Sequence, residues 1–389
     1  MIKTITSHIT YVGVDNTSET FFENQYPLTH GMAYNSYVVA DEKIAVIDAV
    51  EAGMEADWKA SIDRVLGDRR PDYLVVQHME PDHSAGIAHF MEQYPEARII
   101  TSTKAKDMLG RFFHGHTLNE RIIEVKDGDT ISLGTISLRF IAAPMIHWPE
   151  VLTTYIPEEK VLFTADAFGK FGTVEYKDDW INEARRYYVN IVGKYGAQVQ
   201  NYLKKAAALD IAVIAPLHGP VLTENLPYYL DLYNKWSSYT PEVKGVLVAY
   251  ASIYGNTRRA AEYVAEGLRS RGVETVTFDL CRQDMSEALA QAFKMSTMVL
   301  ASVTYDAGMF PAMHDFIHHL SIKGLKGRTV ALIENGSWAP AAARLMRDQL
   351  QQIRGMEVLD NVLTIRSAMN EDDHAAAEAF IAAVASNVK

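Results

Sequence analysis

The 389-residue chain contains one cysteine, Cys281. That excludes a disulfide within the chain, and it excludes an iron–sulfur or rubredoxin-type centre held by this polypeptide's own thiolates. A lone cysteine also fits a reducing compartment. No apolar run is long enough to span a bilayer. Residues Met1 to Thr10 lack the apolar core of a secretory signal, so a cytoplasmic protein with no membrane partner is expected. Positive charge is in deficit. Thirty-seven basic residues stand against 49 acidic ones, a net charge of -12, which argues against nucleic acid as the main partner. A Gly-x-Gly-x-x-Gly sequence is missing, so a nicotinamide dinucleotide site is not indicated. Internal repeats and low-complexity segments are missing too.

What is present divides unevenly. From Val243 onward there are 15 basic and 16 acidic residues, whereas the preceding part holds 22 and 33. The polar, proline-containing stretch Trp236 to Glu242 separates the two compositions. Two domains are expected, 1–240 and 241–389.

The second part alternates regularly. Strand-like runs Val246–Ala251, Glu274–Asp279, Thr297–Thr304, Thr329–Glu334 and Glu357–Ile365 are each followed by a helical pattern. Five such units predict a doubly wound, mostly parallel sheet. The first part mixes hairpin signals, such as Asn35–Ala40 and Lys43–Val50 about Asp41-Glu42, with isolated helices such as Ser84–Gln93 and Lys104–Phe113. That mixture predicts an α/β sandwich of two sheets.

The densest chemistry is His78-Met79-Glu80-Pro81-Asp82-His83, directly after the apolar run Tyr73–Gln77. Three further ligand-type residues also follow apolar, strand-like runs: His147, Asp166 and His218. Strand ends on one edge of a sheet converge, so these residues can share a pocket. Four histidines and three carboxylates exceed the needs of one tetrahedral ion and suit two ions. Asp166 has two oxygens and is the natural bridge. Two divalent ions with three carboxylates and a hydroxide would be electroneutral, which makes burial tolerable. The plain alternative is a set of solvated polar loops. His89, His114, His116, His314, His318 and His319 lack such a context and are read as packed or surface histidines.

The order and spacing of these residues resemble the metallo-β-lactamase superfamily over most of residues 1–236. Glu80 stands where its zinc hydrolases usually carry a second histidine. A carboxylate there is a harder, anionic donor and shifts preference from zinc toward iron or manganese. The pattern His-x-Glu-x-Asp-His is similar to that of the flavodiiron proteins. The resemblance implies an N-terminal metallo-β-lactamase-like αββα sandwich. It implies one iron on His78, Glu80 and His147, a second on Asp82, His83 and His218, and Asp166 between them. It also implies groups near the open face of the metals, for which His30 and Tyr195 are the candidates.

After strand Val246–Ala251 comes Ser252-Ile253-Tyr254-Gly255-Asn256-Thr257, then a helix. Hydroxyls, a glycine and a helix N-terminus make a phosphate site. The segment Val243–Lys389 resembles flavodoxins. By that resemblance Ser252, Tyr254, Gly255, Asn256 and Thr257 hold the phosphate of FMN. The loops Ser302-Val303-Thr304-Tyr305-Asp306 and Asn335-Gly336-Ser337-Trp338 would then bracket its ring, with Trp338 stacked on it or serving as a core or interface aromatic. The family reduces dioxygen to water, nitric oxide to nitrous oxide, or both. It works as a head-to-tail homodimer fed by an external donor, commonly rubredoxin, and a deazaflavin-type donor is the other possibility. Two other classes stay open at this point: a dizinc hydrolase with a flavodoxin-like regulatory domain, and an idle redox or gas sensor.

Overall fold

The computed structural model describes residues 2–115, 118–176 and 180–388. His116 lies outside the described residues. Contacts divide the chain into two units, 1–188 with 197–234, and 189–196 with 235–389.

The first unit holds two sheets. One runs in the order Lys3–Thr4, Ile9–Tyr11, Tyr37–Ala40, Ile44–Ile47, Tyr73–Val75, Arg98–Thr101, Ile122–Glu124. The other runs Thr130–Ser132, Ser137–Ala142, Leu152–Ile156, Val161–Phe163, Val213–Ala215. Their inner faces meet in one core, with Tyr37, Val39, Ile47, Val75 and Ile100 against Leu138, Phe140, Ile156 and Phe163. Alternation along a strand sends Val38, Val46 and Leu74 to the opposite face, yet these are also fully buried. A strand buried on both faces reads as a continuous apolar run, which is why the sequence shows Leu74-Val75-Val76 rather than alternation. Helix Glu55–Leu66 buries Trp58, Ile62 and Leu66, and Trp58 bonds the Ser36 hydroxyl through its indole N–H.

Two parallel pairings place the site. Ile44–Ile47 runs parallel to Tyr73–Val75, so Asp48 and the segment from Gln77 onward leave the same edge. Val161–Phe163 runs parallel to Val213–Ala215, so Asp166 and His218 do likewise. One expected helix is broken. Pro81–Ser84 forms its own short helix before Ile87–Gln93. Pro81 is preset for the first helical turn and lacks the N–H that such a turn leaves unpaired. Asp82 and His83 therefore sit on a helical turn, not on an extended loop.

In the second unit the sheet order is Glu274–Asp279, Val243–Ala251, Met295–Tyr305, Thr329–Asn335, Glu357–Ile365, with every neighbouring pair parallel. This is the doubly wound 2-1-3-4-5 order, whose ligands bind at the carboxyl ends of the strands beside the switch point. The short segment Val189–Gly196 belongs to this unit, where Asn190 donates to Ser286 O and the Tyr239 hydroxyl donates to Gly193 O.

Arg328 is buried within this unit and donates to the carbonyls of Ala292, Phe293, Tyr239, Lys326 and Gly327. Burial pushes its guanidinium down to about 10. Arg328→Met would leave several buried carbonyls unpaired and should cost about 3 kcal/mol of unfolding free energy. A lowered midpoint in urea, followed by the far-ultraviolet signal, is the expected result.

Candidate metal and flavin sites

The metal-type residues meet in two adjoining groups, His78 with Glu80, His147 and Asp166, and Asp82 with His83 and His218. The backbone before them is pinned by Asp48. Its carboxylate accepts from Gln77 N at 2.8 Å, Gln77 Nε2 at 2.8 Å and His78 N at 3.4 Å. Asp48 itself has a left-handed φ of 53°, uncommon for a residue other than glycine. Burial pushes its carboxyl up to about 6.

Asp166 lies between the two groups and divides its oxygens. Oδ2 faces His78 Nε2 at 3.4 Å and His147 Nε2 at 3.0 Å. Oδ1 faces His83 Nε2 at 3.4 Å and His218 Nε2 at 3.9 Å. Glu80 closes the first group, 2.8 Å from His147 Nε2 and 3.2 Å from His78 Nε2. Asp82 closes the second, 3.2 Å from His83 Nε2 and 3.4 Å from His218 Nε2.

Whether metal ions suit this arrangement can be judged from the polar atoms. Both oxygens of Asp82 are buried without a hydrogen-bond partner among the described residues, and both oxygens of Asp166 are buried facing imidazole nitrogens. His83 Nε2 and His218 Nε2 stand 3.0 Å apart, and His83 Nδ1 is buried without a hydrogen-bond partner among the described residues. Two imidazole lone pairs aimed at one point are compatible only through a proton or a cation. The electrostatics agree. Burial pushes Asp82 up to about 7, and burial together with the charge of His83 pushes His218 down to about 3. Burial opposes a charge on His147, but hydrogen bonds to Asp166 and Glu80 outweigh it and bring that ring up to about 9. Cations placed among these donors relieve every one of these conflicts, so the residues fit two ions.

Aromatic rings line the second group. Phe22, Tyr34 and Tyr187 have ring centroids 5.5, 5.9 and 5.3 Å from that of His218. Tyr187 was not apparent from sequence. Its hydroxyl is buried without a hydrogen-bond partner among the described residues. Burial, reinforced by the charges of Asp166, Asp82 and Glu80, raises that hydroxyl well above its usual value, so it remains a donor. Tyr195, the sequence candidate, lies on the turn Gly193–Tyr195 in the second unit. The reason is local. Helix Trp180–Tyr187 passes into a π-helical stretch, Tyr188–Val192, and the facing tyrosine comes before that change of register. His30, the other candidate, is exposed and stacks on Tyr176 with centroids 3.7 Å apart. His314, His318 and His319 lie on helix Pro311–Ile322 of the second unit.

The second unit carries a cavity of about 630 Å³ at the strand ends. Ser252, Tyr254, Asn256 and Thr257 line it on one side, Thr304, Tyr305 and Asp306 on another, and Asn335 to Trp338 on a third. Gly255 and Ser302, also expected at the site, are not among the residues that line it. Gly255 is the N-cap of helix Asn256–Arg269, with φ 89°, a conformation that suits glycine. The Ser302 hydroxyl accepts from Phe310 N. The helix has no side-chain cap, so its first N–H groups are open to an anion. The Thr304 hydroxyl accepts from Ala341 N and Ala342 N, and so supports the start of helix Ala342–Leu350. Asn335 and Ser367 exchange side-chain and backbone hydrogen bonds that tie two loops together. Trp338 and Tyr254 are 89% and 90% exposed, so neither is a core aromatic, and both are free to cover a flat ligand. Arg344 and Ser367 also line the cavity, which sequence reasoning missed. An anion-ready helix end beneath exposed aromatic rings fits FMN.

Comparison with known proteins gives a consistent result. A family model described as ODP family beta lactamase matches residues 32–219, and one described as flavodoxin matches residues 248–380. An uncharacterised protein of Methanocaldococcus jannaschii is 30% identical over 379 residues, covering 96% of this chain and 95% of its own. A nitric oxide reductase of Moorella thermoacetica is 28% identical over 359 residues, covering 89% of each. Two solved structures share the fold. Rubredoxin oxygen:oxidoreductase from Desulfovibrio gigas has a TM-score of 0.92 at 22% identity, over 100% of this chain and 98% of the other. The flavodiiron protein from Giardia intestinalis has a TM-score of 0.91 at 24% identity, over 99% and 96%. No helix among the described residues is long and apolar enough to cross a membrane. With both domain types on one chain in this order, and a relative of matching length, the chain belongs to the flavodiiron protein family.

Proposed function

We propose that this protein reduces dioxygen to water, nitric oxide to nitrous oxide, or both, at a diiron centre supplied with electrons through FMN. The observation that carries this reading is the division of Asp166. One carboxylate turns an oxygen to each of two histidine–carboxylate groups, the arrangement a pair of adjacent ions requires. His78, Glu80 and His147 are assigned to one iron, and Asp82, His83 and His218 to the other.

Bound iron would supply electrons to a small gas molecule, and bound FMN would restore them. The chain's own residues do the rest. Glu80, Asp82 and Asp166 offset three of the four positive charges of two ferrous ions, which leaves the pocket weakly cationic while burying it. Phe22, Tyr34 and Tyr187 exclude bulk water from one flank. The Tyr187 hydroxyl, kept protonated by burial, is a buried hydrogen-bond donor beside the cluster. At the flavin site the helix N-terminus would hold the phosphate, and the loops bearing Tyr305 and Trp338 would hold the ring.

The donor is proposed to be a separate rubredoxin, a reading supported by the name of the Desulfovibrio gigas protein. A head-to-tail homodimer is proposed as the assembly, bringing the flavin of one copy to the irons of the other. Size-exclusion chromatography showing an active monomer with fast internal electron transfer would count against the dimer. Glu80 opposes the dizinc hydrolase reading, because its carboxylate occupies the position that a zinc site gives to imidazole.

The protein loaded with iron and FMN is expected to hold about two irons and one flavin per chain. Fully reduced and mixed anaerobically with either gas, it should reoxidise in repeated turnovers that consume the gas. Failure to react with both gases would overturn the reductase reading, and the faster gas names the substrate.

A further inference from the structure

Behind His78, away from the pocket, stands a second carboxylate. Glu150 Oε1 lies 2.8 Å from His78 Nδ1 and also accepts from Met79 N at 2.9 Å. Both the Glu150 and His78 side chains are completely buried. Glu150 Oε2 is buried without a hydrogen-bond partner among the described residues, so no third donor among them draws on this carboxylate. Its backbone is fixed as well. Ser102 Oγ donates to Glu150 O at 2.9 Å, and the strand that follows is joined to the metal loop by Leu152 N donating to Gln77 O at 3.0 Å. The Trp148 ring meets the His78 ring edge-on, with centroids 5.3 Å apart.

The histidines of the other group lack such a partner. His218 Nδ1 faces a neutral carbonyl, Ala33 O, at 2.8 Å, and His83 Nδ1 faces no acceptor among the described residues. A carboxylate behind a ligating imidazole attracts the Nδ1 proton, fixes the tautomer with Nε2 toward the metal, and makes Nε2 more basic. A carbonyl does this more weakly.

We propose that Glu150 is a positioning residue that makes the two metal positions electronically unequal. It strengthens His78 as a donor, so the iron held by His78, Glu80 and His147 has the lower reduction potential and is the first to lose an electron. This rests on the diiron reading and adds to it an order of oxidation for the two ions. The step is a one-electron loss from that ferrous ion to an added ferric oxidant.

The test is a mediated redox titration of the protein holding iron and FMN, followed by the paramagnetic resonance signal of the half-oxidised iron pair. It is run on the wild type, Glu150→Gln and Glu150→Asp. Glu150→Gln keeps the size and an acceptor oxygen but removes the charge. It should raise one of the two iron potentials by about tenfold in the oxidation equilibrium, roughly 59 mV for one electron, and move the other much less. Two bound irons with both potentials unchanged, or both moved equally, would overturn the proposal. Should Glu150→Gln hold fewer than two irons, Glu150→Asp decides. It keeps the charge but lengthens the contact, so a smaller rise in the same single potential is expected, and no change overturns the idea. If the wild type itself yields no half-oxidised signal, the diiron reading fails before Glu150 is in question.

Discussion

Asp166→Asn is expected to reduce the metal content to at most one iron per chain, to abolish gas turnover, and to leave FMN bound. The substitution changes almost nothing in volume. It replaces one of two ligating oxygens by an amide nitrogen that has no lone pair to give, so one of the two ions loses its share of the bridge. It also removes one of three negative charges opposite four positive ones, in a place where Asp166 is fully buried. Removing one partner of a buried charge pair costs about 3–5 kcal/mol, which corresponds to roughly 10²–10⁴-fold in metal affinity. The flavin cavity is built wholly from the second unit, so its occupancy should not follow that loss. Iron and flavin are counted separately, by metal analysis and by absorbance. A variant with two irons and full turnover would show that Asp166 is not the bridge.

The candidate metal residues could be picked out because each group follows an apolar run; parallel pairs carry the segment from Gln77 onward and Asp166 with His218 to one edge, whereas His147 follows Ser137–Ala142, a strand antiparallel to its neighbours. Asp166 and His218 follow directly from the pairing of Val161–Phe163 with Val213–Ala215. In the second unit, strands Glu274–Asp279 and Glu357–Ile365 have the expected bounds. Less could be read where a role depends on what comes close in space. Glu150 is one acidic residue among many until the closing of two sheets brings it to His78. Asp48 ends a short strand without any motif, and its role appears only when Gln77 turns back toward it. Tyr187 could not be told from Tyr188 or Tyr195, because the helical period changes between them. Arg344 reaches the flavin cavity from a helix, and Ser367 from the loop after the last strand; neither belongs to a pattern.

Riboflavin, which is FMN without its phosphate, should bind this protein roughly 10³–10⁴-fold more weakly than FMN, and Thr257→Val should narrow that gap. The second unit offers the phosphate a helix end without a side-chain cap, with Gly255 in a left-handed conformation at the N-cap. Ser252 Oγ now accepts from Gly255 N at 3.1 Å and marks the spot where an anion would be received. The Arg258 and Arg259 guanidiniums lie close by, 4.0 and 3.7 Å from where a Cβ on Gly255 would stand. Charge-assisted hydrogen bonds of about 1.5–3 kcal/mol each, less the cost of desolvating a dianion, give the stated range. Thr257 is buried at the start of the helix, and valine keeps its shape while deleting the hydroxyl. If that hydroxyl holds phosphate, Thr257→Val weakens FMN by about 10-fold or more and leaves riboflavin nearly unchanged, because the coupling exists only when both partners are present. Equal weakening of both ligands would mean that Thr257 shapes the cavity without touching the phosphate. Equal affinity of the wild type for FMN and riboflavin would remove the phosphate loop from the account altogether. Fluorescence quenching of each flavin, measured on protein with its iron content held constant, separates these outcomes.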